Sequence, residues 1–186
     1  LRWQASFEGE RSQAMKYAGT LTIVARGDRE IAMTRRFDAS RLMVFEAFTT
    51  PASMKRWMIG PPGTTLPVCE IDFRVGGAYR SVWRDARGGE MGAAGMYRAI
   101  DAPRRFVATE RFDPPWYPGE ALITIDFVER DGGTEVTTTM RYESTAGRDG
   151  VLETPMAVGV TRSYDRLTAI LEGNKSGEIE RVRKRA

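Results

Sequence analysis

No histidine occurs among the 186 residues. That absence removes Ser-His-Asp and Cys-His catalysis, histidine-ligated zinc or iron, and the usual imidazole proton shuttle. A single cysteine, Cys69, removes intrachain disulfides and every thiolate cluster. No apolar run approaches the ~20 residues of a membrane span. The opening LRWQASFEGERSQA has no continuous apolar core, so a signal peptide is not expected and a cytoplasmic location is. Any chemistry must rest on carboxylates, tyrosine, lysine, arginine or a borrowed cofactor, and no motif in the chain calls for a metal or a cofactor.

A basic surface is missing too. Residues 1–172 carry 23 Lys+Arg and 23 Asp+Glu, so the body is neutral. The net charge of +3 resides in residues 173–186, where Lys175, Arg181, Arg183, Lys184 and Arg185 face Glu178 and Glu180. The pI of about 9.2 is therefore a tail effect. It is not the broad basic face that nucleic-acid binding needs, and no nucleic-acid partner is expected. The tail reads as a solvated terminus. With 41% apolar and 28% charged residues the chain is too apolar for disorder. Its organisation is read as an N-terminal extension (1–19), one domain (20–172) and the basic tail (173–186).

Periodicity places the elements. Ile31, Met33 and Phe37 alternate on one strand face, and residues 20–25 can pair with them as a hairpin arm across Arg26-Gly27-Asp28-Arg29. Ser40 caps a helix whose Leu42, Phe45 and Phe48 recur on one face. Thr50-Pro51 starts a second helix, a hydroxyl cap followed by proline at N1, which ends before Gly60-Pro61-Pro62-Gly63. From residue 65 to 142 the period is two, with strands expected at 65–73, 78–84, 90–100, 106–112, 120–130 and 134–142. Glycine and proline turns separate them. A period of 3.6 then returns: Leu152, Met156, Val160 with Gly159, Ser163, Leu167 and Ile170-Leu171 form a stripe, Thr154-Pro155 marks a kink or restart, and Gly173 closes the helix. Gly159 is expected to mark its closest approach to the sheet. The fold class is α+β, a curved antiparallel sheet wrapped around a long C-terminal helix, with two short helices after the first strand.

That order, together with particular words, resembles the START-like (SRPBCC) superfamily and its helix-grip fold. The words are Met33-Thr34-Arg35-Arg36-Phe37-Asp38-Ala39, Val44-Phe45-Glu46-Ala47-Phe48, Lys55-Arg56-Trp57, Gly60-Pro61, Val75-Gly76-Gly77-Ala78-Tyr79-Arg80, Gly95-Met96-Tyr97, Thr109-Glu110-Arg111-Phe112 and Ser163-Tyr164-Asp165-Arg166-Leu167. Within the superfamily the chain looks like the branch homologous to the C-terminal domain of the activator of the heat-shock protein 90 ATPase. Ser40 departs from the family's helix-opening proline, and Val160 stands where an aromatic is usual. The resemblance implies an apolar cavity between sheet and helix rather than a particular reaction.

The candidate site follows from strand parity. Tyr79, Ser81 and Trp83 share one face, as do Ala93, Gly95 and Tyr97 on the next strand. Small residues beside large aromatics leave space, so these residues, with Met156, Val160 and Ser163 from the helix, are the expected ligand contacts. Core packing of a curved sheet is the alternative. Glu110 lies in step with Phe106, Ala108 and Phe112 and is the best catalytic candidate. It is either ion-paired with Arg80, Arg98 or Arg111, the favoured reading, or has the raised pKa of an acid/base group. Glu70 and Asp72 read as an outward, solvated pair. Cys69 reads as a small buried hydrophobe. Trp116 is a lid over the cavity mouth or a packed loop residue. The function expected is binding of a small apolar or aromatic molecule, by a monomer or homodimer. A cyclase- or hydrolase-like enzyme using an inward carboxylate, and a co-chaperone-like regulator of an ATPase, are the alternatives.

Overall fold

The computed structural model describes residues 21–183, with side chains described as far as residue 173. The expected extension at 1–19 and the side chains of the basic tail lie outside the described residues. β1 (Leu21–Arg26) and β2 (Glu30–Phe37) form the hairpin anticipated at the start. Two short helices follow, α1 (Arg41–Thr49) and α2 (Pro51–Trp57). Six strands come next: β3 (Thr65–Ile71), β4 (Ala78–Arg84), β5 (Glu90–Asp101), β6 (Arg105–Asp113), β7 (Ala121–Arg130) and β8 (Gly133–Arg141). The chain then forms α3 (Thr145–Leu152) and α4 (Met156–Arg183). The sheet order is β1-β2-β8-β7-β6-β5-β4-β3, every neighbouring pair antiparallel. β3 to β8 are a meander, and β2 returns beside β8 so that the N-terminal hairpin extends the sheet. This is the helix-grip arrangement.

The helices rest on the sheet through aromatic side chains. Ser40 accepts a hydrogen bond from the Met43 N–H at 3.4 Å and opens α1. The helix buries Val44, Phe45, Ala47 and Phe48, whereas Leu42, expected on this face, is 55% exposed. It lies in the first turn, a residue too early to reach the sheet. Phe45 meets Phe127 edge-on at 5.2 Å, and Phe48 meets Phe127 at 5.4 Å and Tyr164 at 6.0 Å. Thr50 is the residue before α2, but its hydroxyl makes no cap bond. Proline at N1, which has no N–H to satisfy, starts this helix without one. Trp57 closes it, its indole donating to the Ala47 carbonyl at 3.0 Å.

Two further expectations are corrected along the C-terminal helix. The break at Thr154-Pro155 is present, but the segment before it is a helix of its own, α3, whose cap Ser144 accepts from the Gly147 N–H at 3.0 Å. Leu152 is 41% exposed, and Val151 takes the buried position instead. Gly173 does not close α4, which runs on to Arg183. A glycine ends a helix by turning left-handed. Gly173 has no positive φ, so it is only a weak point in a continuing helix.

α4 is fixed to the sheet at its middle. Leu167 is fully buried. Arg35 on β2, only 6% exposed, pairs with Asp165 at 2.7 Å and donates to the Thr168 hydroxyl at 3.0 Å. Tyr164 packs edge-on against Phe37 at 5.5 Å, its hydroxyl 3.4 Å from that of Thr138. Toward its N-terminus α4 borders a space on one side, while Val158 packs with Leu66, Trp83 and Met91. The buried apolar side chains fall accordingly into a main core under α1 and the middle of α4, and a smaller cluster of Leu66, Cys69, Trp83, Met91, Ala93 and Val158.

Candidate functional site

Between the two clusters lies a cavity of about 280 Å³, floored by β4 to β8 and roofed by α2 and the first half of α4. Of the residues expected to contact a ligand, Tyr79, Ser81, Trp83, Tyr97, Glu110, Met156, Val160 and Ser163 all border it. Gly95 does not. It faces Tyr79 across the β4–β5 ladder, and its missing side chain is replaced by the Tyr79 ring. The ring crosses β5 so that its hydroxyl donates to the Thr109 carbonyl on β6 at 2.9 Å. The ladder amide of Met96 then takes the Thr109 hydroxyl as acceptor at 3.2 Å. Gly95 therefore makes room for a wall of the cavity rather than for a ligand. Gly159 borders the cavity instead of meeting the strands.

Aromatic rings and methionines make up most of the wall. Phe112 and Trp116 stack in parallel at 4.9 Å, and the Trp83 ring lies nearly parallel to Phe112 at 6.5 Å. Trp116, on the loop before β7, is thus both a packed loop residue and a side chain at the cavity's edge. Met54, Met58, Met91, Met140 and Met156 fill the irregular remainder. Methionine has three rotatable bonds and a polarisable sulfur, so such a wall adapts to its contents. The roof is pinned at the loop after α2. Gly60 donates its N–H to the Ser163 hydroxyl at 3.4 Å, Arg166 donates to the Gly60 carbonyl at 2.6 Å, and the Trp83 indole donates to the Met58 carbonyl at 2.6 Å.

One carboxyl group enters this space. Glu110 points inward, as its parity required, but the expected arginine partner is absent: among the described residues it forms no ion pair. Arg80, Arg98 and Arg111 are all exposed. Arg111 follows Glu110 directly on β6 and so points to the opposite face. Burial pushes the Glu110 carboxyl up to about 7, and the neighbouring Tyr117 hydroxyl opposes this only in part. That hydroxyl donates to the Glu110 backbone carbonyl at 3.4 Å. Burial also raises the hydroxyls of Tyr79, Tyr117 and Tyr142, each pushed further by the Glu110 charge. Three phenols on separate segments therefore surround one carboxyl. Tyr117 and Tyr142, in edge contact at 4.9 Å, were not anticipated from sequence. Tyr117 lies in a proline-rich loop, where periodicity carries no information; Tyr142 ends the strand expected at 134–142, and alternation gives its face but not its approach to Glu110.

The remaining candidates are quieter. Glu70 and Asp72 are exposed, and Asp72 pairs with Arg74 at 2.9 Å. Cys69 is buried, and burial raises its thiol. A bulge between Thr65 and Val68 lets Leu66 and Cys69 both face inward, which simple alternation could not do. No group of His, Cys, Asp or Glu able to hold a metal occurs among the described residues. None of their helices is long and apolar enough to cross a membrane.

A sheet gripping a long helix over an aromatic cavity has counterparts among known proteins. The family model described as Activator of Hsp90 ATPase homolog 1-like protein matches residues 38–172. The chain belongs to that family. A crystal structure of a Rhodobacter sphaeroides protein superposes with a TM-score of 0.79 at 26% identity, covering 83% of this chain and 99% of that one. Protein Ms6760 from Mycobacterium smegmatis gives 0.72 at 22% identity over 81% and 96%. The AHSA1 protein from Silicibacter pomeroyi gives 0.62 at 20% identity over 78% and 99%; these last two likenesses concern the fold. No curated protein matches the chain.

Proposed function

We propose that this member of the Activator of Hsp90 ATPase homolog 1-like family binds a small apolar or aromatic molecule between its sheet and α4. The observation that carries the reading is the cavity of about 280 Å³, close to the ~300 Å³ at which ligand pockets begin and walled by aromatic and methionine side chains. An apolar guest that removes this wall from water gains ~25 cal/mol for each Å² covered. The partner is a small molecule rather than nucleic acid, and the protein acts as a monomer or homodimer in the cytoplasm. An enzymatic reading has one observation in its favour, the cavity-facing Glu110 held near neutrality at about 7. Regulation of a chaperone ATPase, the role in the family's description, would engage a surface and leaves the cavity without a use.

Ser81 sits on the cavity floor and is buried. Ser81→Phe should fill the space and abolish enhancement of a neutral environment-sensitive dye such as Nile red, with the far-ultraviolet spectrum unchanged. A wild type that binds no such dye at micromolar protein overturns the reading.

A further inference from the structure

Among the described residues, Glu110 is the only side chain bordering the cavity that can carry a charge at neutral pH. The groups facing it are phenols: Tyr79 from β4, Tyr117 from the loop before β7 and Tyr142 after β8. The further charge felt there is that of Glu120, of the same sign, which reaches Tyr79 and Tyr117. α4 presents Met156, Gly159, Val160, Ser163 and Tyr164 to the cavity, none of them cationic. The described residues thus supply a carboxylate in an apolar chamber and no counter-ion.

The surrounding polar tips are already engaged. Tyr79 donates to Thr109 at 2.9 Å, Tyr117 to the Glu110 backbone at 3.4 Å, and Tyr142 to the Met140 sulfur at 3.6 Å. Next to the carboxyl, Tyr117 meets Phe112 edge-on at 6.0 Å, and Phe112 stacks with both Trp83 and Trp116. Aromatic faces attract cations, and a buried carboxylate is relieved by one.

Building on the cavity-binding reading, we propose that the ligand is an apolar or aromatic amine whose ammonium group sits against Glu110 while its body fills the aromatic and methionine wall. A ligand accepting a hydrogen bond instead would require Glu110 to keep its proton, and an anionic ligand would meet repulsion. The pH dependence has a definite sign. Glu110 must be ionised to hold the ammonium, so amine affinity rises with pH through about 7.

The test uses three probes of one shape: 2-naphthylmethylamine, 2-naphthylmethanol and 2-naphthoate, titrated calorimetrically into the full chain at pH 5.5 and pH 8. The amine should bind at least tenfold more tightly than the alcohol at pH 8, and that preference should vanish at pH 5.5. Glu110→Gln should remove the preference at pH 8 while leaving alcohol binding within about threefold. If that variant fails to fold, the wild-type pH series decides alone. Equal affinity for amine and alcohol at pH 8, or strongest binding of the naphthoate, overturns the amine proposal and leaves cavity binding standing. No binding of any probe overturns both.

Discussion

Replacing Gly95 by alanine should destabilise the protein, although most strand positions would respond in the opposite direction. Glycine within a strand costs roughly 0.5–1 kcal/mol relative to alanine, so the ordinary expectation is a gain. At Gly95 a methyl group would overlap the Thr109 carbonyl oxygen and lie 2.8 Å from Cε1 of Tyr79. The first obstacle is backbone in the middle of β6 and cannot rotate away. The second is a ring whose hydroxyl is tied to that same carbonyl at 2.9 Å. Overpacking of this kind costs ~1–3 kcal/mol. Displacing the ring leaves a buried hydroxyl without its acceptor, ~1–3 kcal/mol more. The sum, about 2–6 kcal/mol, lowers Tm by roughly 4–24 °C at ~2–4 °C per kcal/mol for a chain of this length. Thermal unfolding followed by circular dichroism, with Tyr79→Phe as the variant that loses only the hydrogen bond, measures both parts. A Gly95→Ala protein that melts at or above the wild type would refute the close crossing of Tyr79 over β5.

Leu167→Asp would place an uncompensated carboxylate at a fully buried position on α4 and should cost several kcal/mol, enough to unfold a marginal domain; a near-normal Tm would contradict the packing of α4. Stability should also depend on pH through Glu110. The folded chain holds this proton up to about 7 against an ordinary carboxyl value of 4.5. The resulting stabilisation is fully present below 4.5 and is lost as pH rises toward 7, amounting to about 3 kcal/mol at ~1.36 kcal/mol per pH unit. Glu110→Gln should therefore match the wild type at pH 4.5 and exceed it by a similar amount at pH 8 in urea unfolding; parallel pH profiles would show that the carboxyl is not held in an apolar site.

Strand alternation made much of this architecture legible. Ile123, Ile125 and Phe127 face the core as their period requires, and the inward direction of Glu110 followed from Phe106, Ala108 and Phe112. What Glu110 meets did not follow. Its nearest arginine in sequence, Arg111, points away by the same alternation, so proximity along the chain was misleading. Gly95 has the right parity for the cavity, yet the side chain of Tyr79, its partner on the neighbouring strand, consumes its space. Sequence carries the face of a residue and not the reach of its neighbour. On α4 a narrow stripe through Ser163 passed over Tyr164, because a helix enclosed by a curved sheet buries a wider arc than one resting on a flat surface. Leu42 and Leu152 are exposed although Val44 and Val151 beside them are buried, so at a helix end the buried position shifts by a residue or two.

The two halves of α4 carry different duties, and the chain's chemistry separates them. From Tyr164 onward the helix is held by the Arg35–Asp165 pair, the Thr168 hydroxyl and the buried Leu167. Before Ser163 it presents Met156, Gly159 and Val160 to open space, just after the break that separates it from α3. A helix anchored at its middle and interrupted near its start is held in its first half by Val158 in the smaller cluster, so adjustment of that half leaves the core beneath α1 undisturbed. Methionines line that half and the strands beneath it, so the wall can follow a guest by rotamer changes alone. Ser163 and Arg166, both bonded to Gly60, set the limit of this movement, since they tie the roof to the loop after α2. Selectivity then falls to the part that cannot move: Glu110, in the middle of β6 among three phenols already committed to the protein. On the proposed binding reading, a pliable apolar wall admits many shapes, and one fixed carboxyl chooses among them by charge.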